Sequence, residues 1–588
     1  MSSTSVVPTP ATPDVCTVSL RLGGEELPGQ YHLLSVCVTR ELNRIPTATL
    51  QLKDGEAARQ SFPVSDTELF VPGTAVEIAL GYRSQNESVF KGIVVRQGLK
   101  ARRSGAVLLV ECKDAAVRLT QGTRSACFVD KKDSEVLEEI LEGRGLAADV
   151  QATSAEAEAL VQFDCTDWDF ILCRAEANGR VVSVVDGTVA VKAPDVGQEP
   201  ALSVAFGSTL LELDVEMDAR LQEESLAARA WNPAEQSCSS SDAAEPQVSG
   251  NGNLDAATLA EALQGGAQSV VHGAALREPE LQAWADARLL KARFARVRGR
   301  ARFQGFAALV PGDVLQVDGI GQRFAGKLYV SGVRHTVSAG NWLTDVQLGL
   351  DPALFAGTFA VGHLPAAGML PAVHGLQIGV VTALAGDPQG EQRIRVRLPI
   401  VGTSDEGLWA RLATLDAGSG RGTCFRPEIE DEVVVGFLHG DPRHAVVLGM
   451  LHSSAKPAPQ APADANHVKS YTSREKLLLV FDDEKKLVRL ETPGGNRLAL
   501  TDADQGIQLE DQNGNKLVLS PDGISVTSAK DLTLKANANV KVEGVNVELS
   551  ASASFKAAGS GTAELKGANT TVEGSALLTL SGGMVKIN

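Results

Sequence analysis

Catalysis needs a nucleophile with its base, paired carboxylates, or clustered soft ligands, and each leaves a trace in residue type and spacing. The Gly418-Ser419-Gly420-Arg421-Gly422 run offers a serine between glycines but no nucleophile elbow around it, and no Gly-Lys-Ser/Thr follows to make a phosphate loop. It reads as a flexible loop. Acidic runs occur at Glu430-Asp431-Glu432 and Asp482-Asp483-Glu484. Clustered acids on a turn usually form a solvated face. Asp167 and Asp169 flank Trp168 and suit the positive end of a helix dipole. The nine histidines are dispersed; His439 and His444 straddle a turn with a spacing that could hold a metal, though a solvent-facing turn is the simpler reading. No His or Cys follows His467, so the C-terminal end supplies no soft ligand. The eight cysteines form no CxxC pair and read as reduced structural thiols. The expectation is therefore no catalytic residue, no cofactor, no metal and no enzyme.

Arg393, Arg395 and Arg397 alternate along one strand face and look at first like a nucleic-acid platform. However, residues 374–452 hold seven Arg against ten Asp and Glu, which favours pairing within or between subunits. The whole chain carries 55 Lys and Arg against 72 Asp and Glu, a balance poorly suited to nucleic acid or anionic membranes. No basic segment followed by an apolar one opens the chain, so no secretory signal is visible. No run approaches the length of a membrane span.

The elements that must position these residues are mostly strands. With 588 residues the chain exceeds one core, and 57 glycines with 4% aromatics favour many short strands and turns. After a flexible start over 1–14, alternation over Val15–Leu22, Ala75–Leu80 and Ala106–Cys112 predicts a barrel-like β domain. Helices are predicted from Asp133 or Ser134 as N-cap, from Asp167 as cap with Asn178-Gly179 as stop, and from about Glu280 to Arg296. Residues 232–256 read as a long surface loop. Strands resume over 311–350. Five or so short strands in 372–452 suggest a small closed barrel of the OB type, and the Pro/Ala-rich 453–472 a linker.

From 473 onward the pattern changes. Gly495–Thr501 and Gly514–Ser520 form an imperfect duplication, and apolar pairs then recur every seven or eight residues: Ile524/Val526, Leu532/Leu534, Val540/Val542, Val547/Leu549. A short fixed period of β pairs and turns signals a β-helix or prism. Each repeat offers only one or two medium-sized apolar side chains, so a lone chain cannot bury its stripe or pair its edges. Three identical chains wound together can do both.

Four stretches carry a resemblance: DWDFILCRAEANG at 167–179, the 311–350 block, the 407–452 block with FRPEIEDEVVVGFLHGDPRHAVVLG, and ETPGGNRLAL with DQNGNKLVLS. In this order they resemble the VgrG-type spike proteins of type VI secretion and the related spikes of extracellular contractile injection systems and phage tails. The third looks more like the extracellular branch. The resemblance implies a mainly β fold: a hub of two related β-barrels with helical insertions (15–365), an OB-fold barrel (372–452), and an intertwined triple-stranded β-helix (473–588) in a homotrimer. It further implies that the hub adapts a hexameric inner tube and baseplate proteins to a threefold needle that contacts a target membrane mechanically. A PAAR-type tip protein would sit on Met584, Val585, Lys586, Ile587 and Asn588, read as a short final strand. Neither a lysozyme insertion nor a C-terminal effector is expected. Such a chain would be made in the cytoplasm and built into a particle that is released or delivered into target cells.

A trimeric fibre or adhesin binding a surface receptor is the alternative, against which the hub and OB matches weigh. A pectin-lyase type β-helix enzyme fails on repeat length, since its coils need roughly 20 or more residues.

Overall fold

A computed structural model describes residues 15–248, 251–404 and 406–587. The expected flexible start over 1–14 and the terminal Asn588 lie outside the described residues. The chain divides into two compact units, 1–429 with 434–448, and 430–433 with 449–588.

The first unit is built on a 13-stranded sheet whose strands enclose two separate cores. Alternation of apolar and polar residues decides which side of each strand is buried. Cys16–Leu22, Leu33–Glu41, Thr47–Asp54, Ala75–Tyr82, Gln85–Arg102 and Gly105–Lys113 bury Leu50, Leu52, Ile78, Leu80, Phe90 and Leu108. Leu202–Ala205, Leu210–Met217, Val297–Gln304, Val314–Asp318 and Asn341–Leu348 bury Leu202, Phe303, Leu315, Val317 and Val346. The isolated bridge Phe206↔Leu210 links the ends of this second set.

The 13-residue strand Gly326–Ser338 joins the two. Its first part pairs with Val314–Asp318 and its later part with Leu33–Glu41. A register shift between Val330 and Gly332 against Asn341–Leu348 marks where the neighbour changes. A bulge bends a strand, so it can serve two curved sheets at once.

Helices Asp133–Gly143 and Asp167–Ala177 share a third core with Val182, Val184 and Val189. Their starts differ from the sequence expectation. The second helix is capped by Thr166, whose hydroxyl accepts from the Asp169 amide at 3.1 Å, while Asp167 is drawn inward by arginines. In the first, Lys132 occupies the N-cap position; Asp133 pairs with Arg174, and the Ser134 hydroxyl accepts from the Thr153 amide. Long-range partners outcompete the local cap in both cases. A third helix runs over Glu278–Phe294 and covers a three-stranded sheet of Leu226–Asn232, Ser237–Asp242 and Gln268–His272. The expected 232–256 loop is therefore partly a strand. Its Ser-rich sequence carries no apolar alternation, and pairing with Leu226–Asn232 creates it.

Gln377–Ala383, Ile394–Arg397, Leu408–Leu412, Glu432–Phe437 and Ala445–Met450 form a small closed barrel around Val381, Ile394, Val396, Ala410, Val433 and Val447. Among the described residues no helix is long and apolar enough to cross a membrane.

The second unit holds a seven-stranded antiparallel meander over Val468–Thr472, Leu478–Asp482, Leu487–Glu491, Arg497–Thr501, Gly506–Glu510, Lys516–Ser520 and Gly523–Thr527. It starts inside the stretch read as linker. The duplicated motifs are its Arg497–Thr501 and Lys516–Ser520 strands, each entered through a glycine at positive φ, Gly495 at 96° and Gly514 at 89°. That conformation admits glycine most easily. Beyond 528 the described residues contain no strand paired within the chain.

Candidate functional site

The polar residues singled out for chemistry turn out to hold the fold. Asp167 is fully buried; it accepts from Arg144 Nε at 2.6 Å, Gln162 Nε2 at 2.9 Å and Arg124 Nη1 at 3.4 Å. Arg174 grips Asp133 through two bonds of 2.6 and 2.9 Å, and Asn178 donates to the same carboxylate at 2.8 Å. Glu176 pairs with Lys291 and accepts from the Phe355 amide at 3.0 Å. The 167–179 motif is thus a set of clamps between distant segments.

Two of the three arginines on the barrel face, Arg393 and Arg395, are paired within the chain. Arg393 is bidentate to Asp387, which holds that carboxyl far below its ordinary range. Arg395 pairs with Glu406 and lies 5.8 Å from the Trp409 ring centroid. The acid runs are surface turns: Lys456 meets Asp431 at 3.2 Å, and Lys469 pairs with Asp483. The serine-glycine run is a two-strand turn in which Arg421 pairs with Asp416 at 2.7 Å. Among the described residues no group of three His, Cys, Asp or Glu could hold a metal. The His439 ring lies against His363, a contact that sequence spacing gave no means to find.

The feature that calls for a partner is the meander. Cross-strand pairing lines up Tyr471, Leu479, Leu490, Leu498, Leu509, Leu517 and Val526 in one row. A second row holds Phe481, Val488, Leu500, Ile507, Leu519 and Ile524. Both rows lie on one side, and their members are only partly covered: Leu490 and Leu509 are each 52% exposed. A continuous apolar face of this extent exceeds what a soluble single chain ordinarily shows to water. The opposite side is mixed: Arg497 and Lys516 meet Glu510 at 2.7 and 2.8 Å, and Val480 and Ala499 beside them are buried within the single chain.

The final segment continues the pattern without intrachain pairing. Bends fall at 529–530, 537–538, 545–546, 552–553, 560–561, 568–569 and 575–576, in steps of eight, eight and seven residues that repeat. Every third bend therefore recurs after 23 residues. Three straight segments per repeat suit a chain winding round a threefold axis. Sequence reading found the short period but not this longer one. Met584, Val585 and Ile587 are exposed, and no strand is assigned at Met584–Ile587, where a single chain offers no neighbour.

Comparison with known proteins follows this division. Residues 12–339 match the Alg8 N-terminal domain, more than half of the chain. Residues 377–452 match the type VI secretion system/phage-baseplate injector OB domain, and 487–588 the phage baseplate V C-terminal trimerisation domain. The spike protein VgrG4b of Pseudomonas aeruginosa is 30% identical over 155 residues, covering 25% of this chain and 16% of that protein. VgrG1b of the same organism is 26% identical over 240 residues, covering 38% and 31%. VgrG3 of Vibrio cholerae is 33% identical over 105 residues, covering 16% and 10%. The chain thus matches less than a third of the length of each of these relatives. Among solved structures, a tail protein from Neisseria meningitidis aligns at TM-score 0.42 with 14% identity, over 57% of this chain and 97% of that one. The Francisella PdpA-VgrG complex aligns at 0.39 with 8% identity, over 88% and 80%. The chain belongs to the family of the Alg8 N-terminal domain and, with its injector OB domain and C-terminal trimerisation domain, is similar to the VgrG spike proteins.

Proposed function

We propose that three copies of this chain form the central spike of a contractile injection machine and act mechanically, without catalysis. The observation that carries this is the bare two-row apolar face of the meander, in a segment that matches a trimerisation domain. Burying a half-exposed leucine or isoleucine contributes about 1 kcal/mol. Over two rows per chain, this favours association strongly. In such a trimer the hub caps a hexameric inner tube and contacts baseplate proteins, and the winding C-terminal segments form the needle. Edges paired between chains resist unfolding under an axial load. The exposed Met584, Val585, Lys586 and Ile587, with Asn588, form the seat for a PAAR-type tip protein. The protein is made in the cytoplasm and leaves it only as part of the particle.

The test is native mass together with co-purification. Three chains of 61.7 kDa each, about 185 kDa, that retain a tube protein support the spike. A folded monomer refutes the trimer. A trimer that binds a surface glycan and no tube protein supports the receptor-binding fibre instead.

A further inference from the structure

Two strands of the first unit keep a bare edge. Leu210–Met217 ends the 13-stranded sheet: it pairs with Val297–Gln304 on one side and, past the bridge at Leu210, with no strand among the described residues on the other. The second bare edge lies on the long strand Gln85–Arg102. Its partner Ala75–Tyr82 reaches only to Ile93, while Gly105–Lys113 continues on the other side as far as Arg102. Over 95–102 this strand therefore has a single neighbour. Each such edge leaves a row of backbone donors and acceptors open to pairing.

Charges on one side of the sheet alternate in sign from strand to strand. Arg334 lies opposite Asp345, and Asp345 meets Arg302 at 2.7 Å. Arg302, Arg300 and Arg298 in turn meet Glu212, Asp214 and Glu216 at 2.8, 2.7 and 3.4 Å. The series ends at the bare edge with three acids at every second residue, Asp214 and Glu216 each 67% exposed. A further strand would need bases at the same spacing. Residues 95–102 have them: Arg96, Lys100 and Arg102 share one side, all exposed, and Arg96 meets Glu111 of the adjoining strand at 2.7 Å. The other sides match too. Leu99, 46% exposed, faces away from the bases. Leu211, 43% exposed, and Leu213 face away from the acids, beside a cleft of about 310 Å³ that Phe206 and Ile320 also line. Because side chains alternate with period two, the register that sets acid on base also sets Leu99 on the side of these leucines.

We propose that residues 211–217 of one copy pair edge to edge with residues 95–102 of the next, so that the sheets of the first unit join head to tail around the trimer. This rests on the trimeric reading above and adds to it a second seam, separate from the C-terminal one. Opposite charges facing each other across a strand pair stabilise it, and like charges oppose it. Two acidic edges therefore repel, as do two basic ones, so the contact uses different surfaces on its two sides. Three such contacts close a ring.

Hydrogen exchange and native mass of the full-length protein test this together. Lys100→Glu with Arg102→Glu should leave the trimeric mass in place and speed exchange at 211–217, on a different strand, by about tenfold or more. The converse pair, Asp214→Lys with Glu216→Lys, should do the same at 95–102 and serves if the first variant misfolds. Combining all four substitutions sets acid against base again and should return both segments to slow exchange. A trimer in which neither pair changes exchange on the opposite edge overturns this seam and leaves the C-terminal trimer standing. An unmodified protein with the mass of one 61.7 kDa chain overturns both.

Discussion

Two buried polar residues set the behaviour of the hub at the scale of single side chains. Asp167 has no access to water and anchors Arg144, Arg124 and Gln162. Replacing it with alanine leaves Arg144 and Gln162 without their carboxylate in a closed site, which costs about 3 kcal/mol or more. Chemical denaturation of Asp167→Ala should show that loss, followed through the hub. His335 is fully buried, its Nδ1 3.1 Å from Thr344 Oγ1. Burial, with Arg40 nearby, pushes its pKa down to about 3. The unfolded chain takes up the proton near pH 6.5 while the folded one refuses it, so stability falls as pH drops from about 6.5 to about 3. The slope from this one group is at most about 1.4 kcal/mol per pH unit. In His335→Gln the acid limb of denaturation midpoints should flatten by that amount; an unchanged limb would show that other groups set it.

At the scale of elements, the two parts of the C-terminal unit make different demands. The meander's rows place Leu509 in mid-sheet between Leu498 and Leu517. A charge there cannot be buried unpaired. Leu509→Asp should therefore convert the 185 kDa species to monomer in light scattering at micromolar concentration, leaving the hub's unfolding transition in place. Beyond the meander the unit of length is the 23-residue repeat. Excising 531–553 removes one whole repeat and joins the bend at 529–530 to the equivalent segment 554–559. That variant should still form trimers. Excising only 531–534 leaves a segment too short to span a face and removes both Leu532 and Leu534, so trimers should be lost. Equal native mass for the two deletions would show that the repeat has no structural meaning.

At the scale of the whole molecule, the proposed tip seat can be tested apart from assembly. Removing 584–588 takes away the exposed Met584–Ile587 together with Asn588. The truncated chain should remain trimeric yet fail to retain a PAAR-type tip protein in co-purification, whereas retention would move the tip seat elsewhere. Much of this layout was legible beforehand. Period-2 runs announced the strands of both cores and of the closed barrel, Asn178-Gly179 stopped its helix, and the short C-terminal period pointed to a trimer. Other features were silent. Ser237–Asp242 has no apolar alternation, and only its partner Leu226–Asn232 makes it a strand. Thr166 rather than Asp167 caps its helix because Asp167 answers to Arg144, 23 residues away. The shared strand Gly326–Ser338 could be read as a strand, but not as the one that serves two cores.

What the sequence determined by itself is what depends on near neighbours. Side-chain alternation selects strands, glycines at positive φ place turns, and a stripe too thin to bury alone demands copies of itself. What only the tertiary structure decided depends on residues far apart in the chain. The pairing register turned scattered leucines into two continuous rows, and packing brought His363 within 4.0 Å of His439. Such contacts are chosen by the closure of the whole fold, and no local pattern records them.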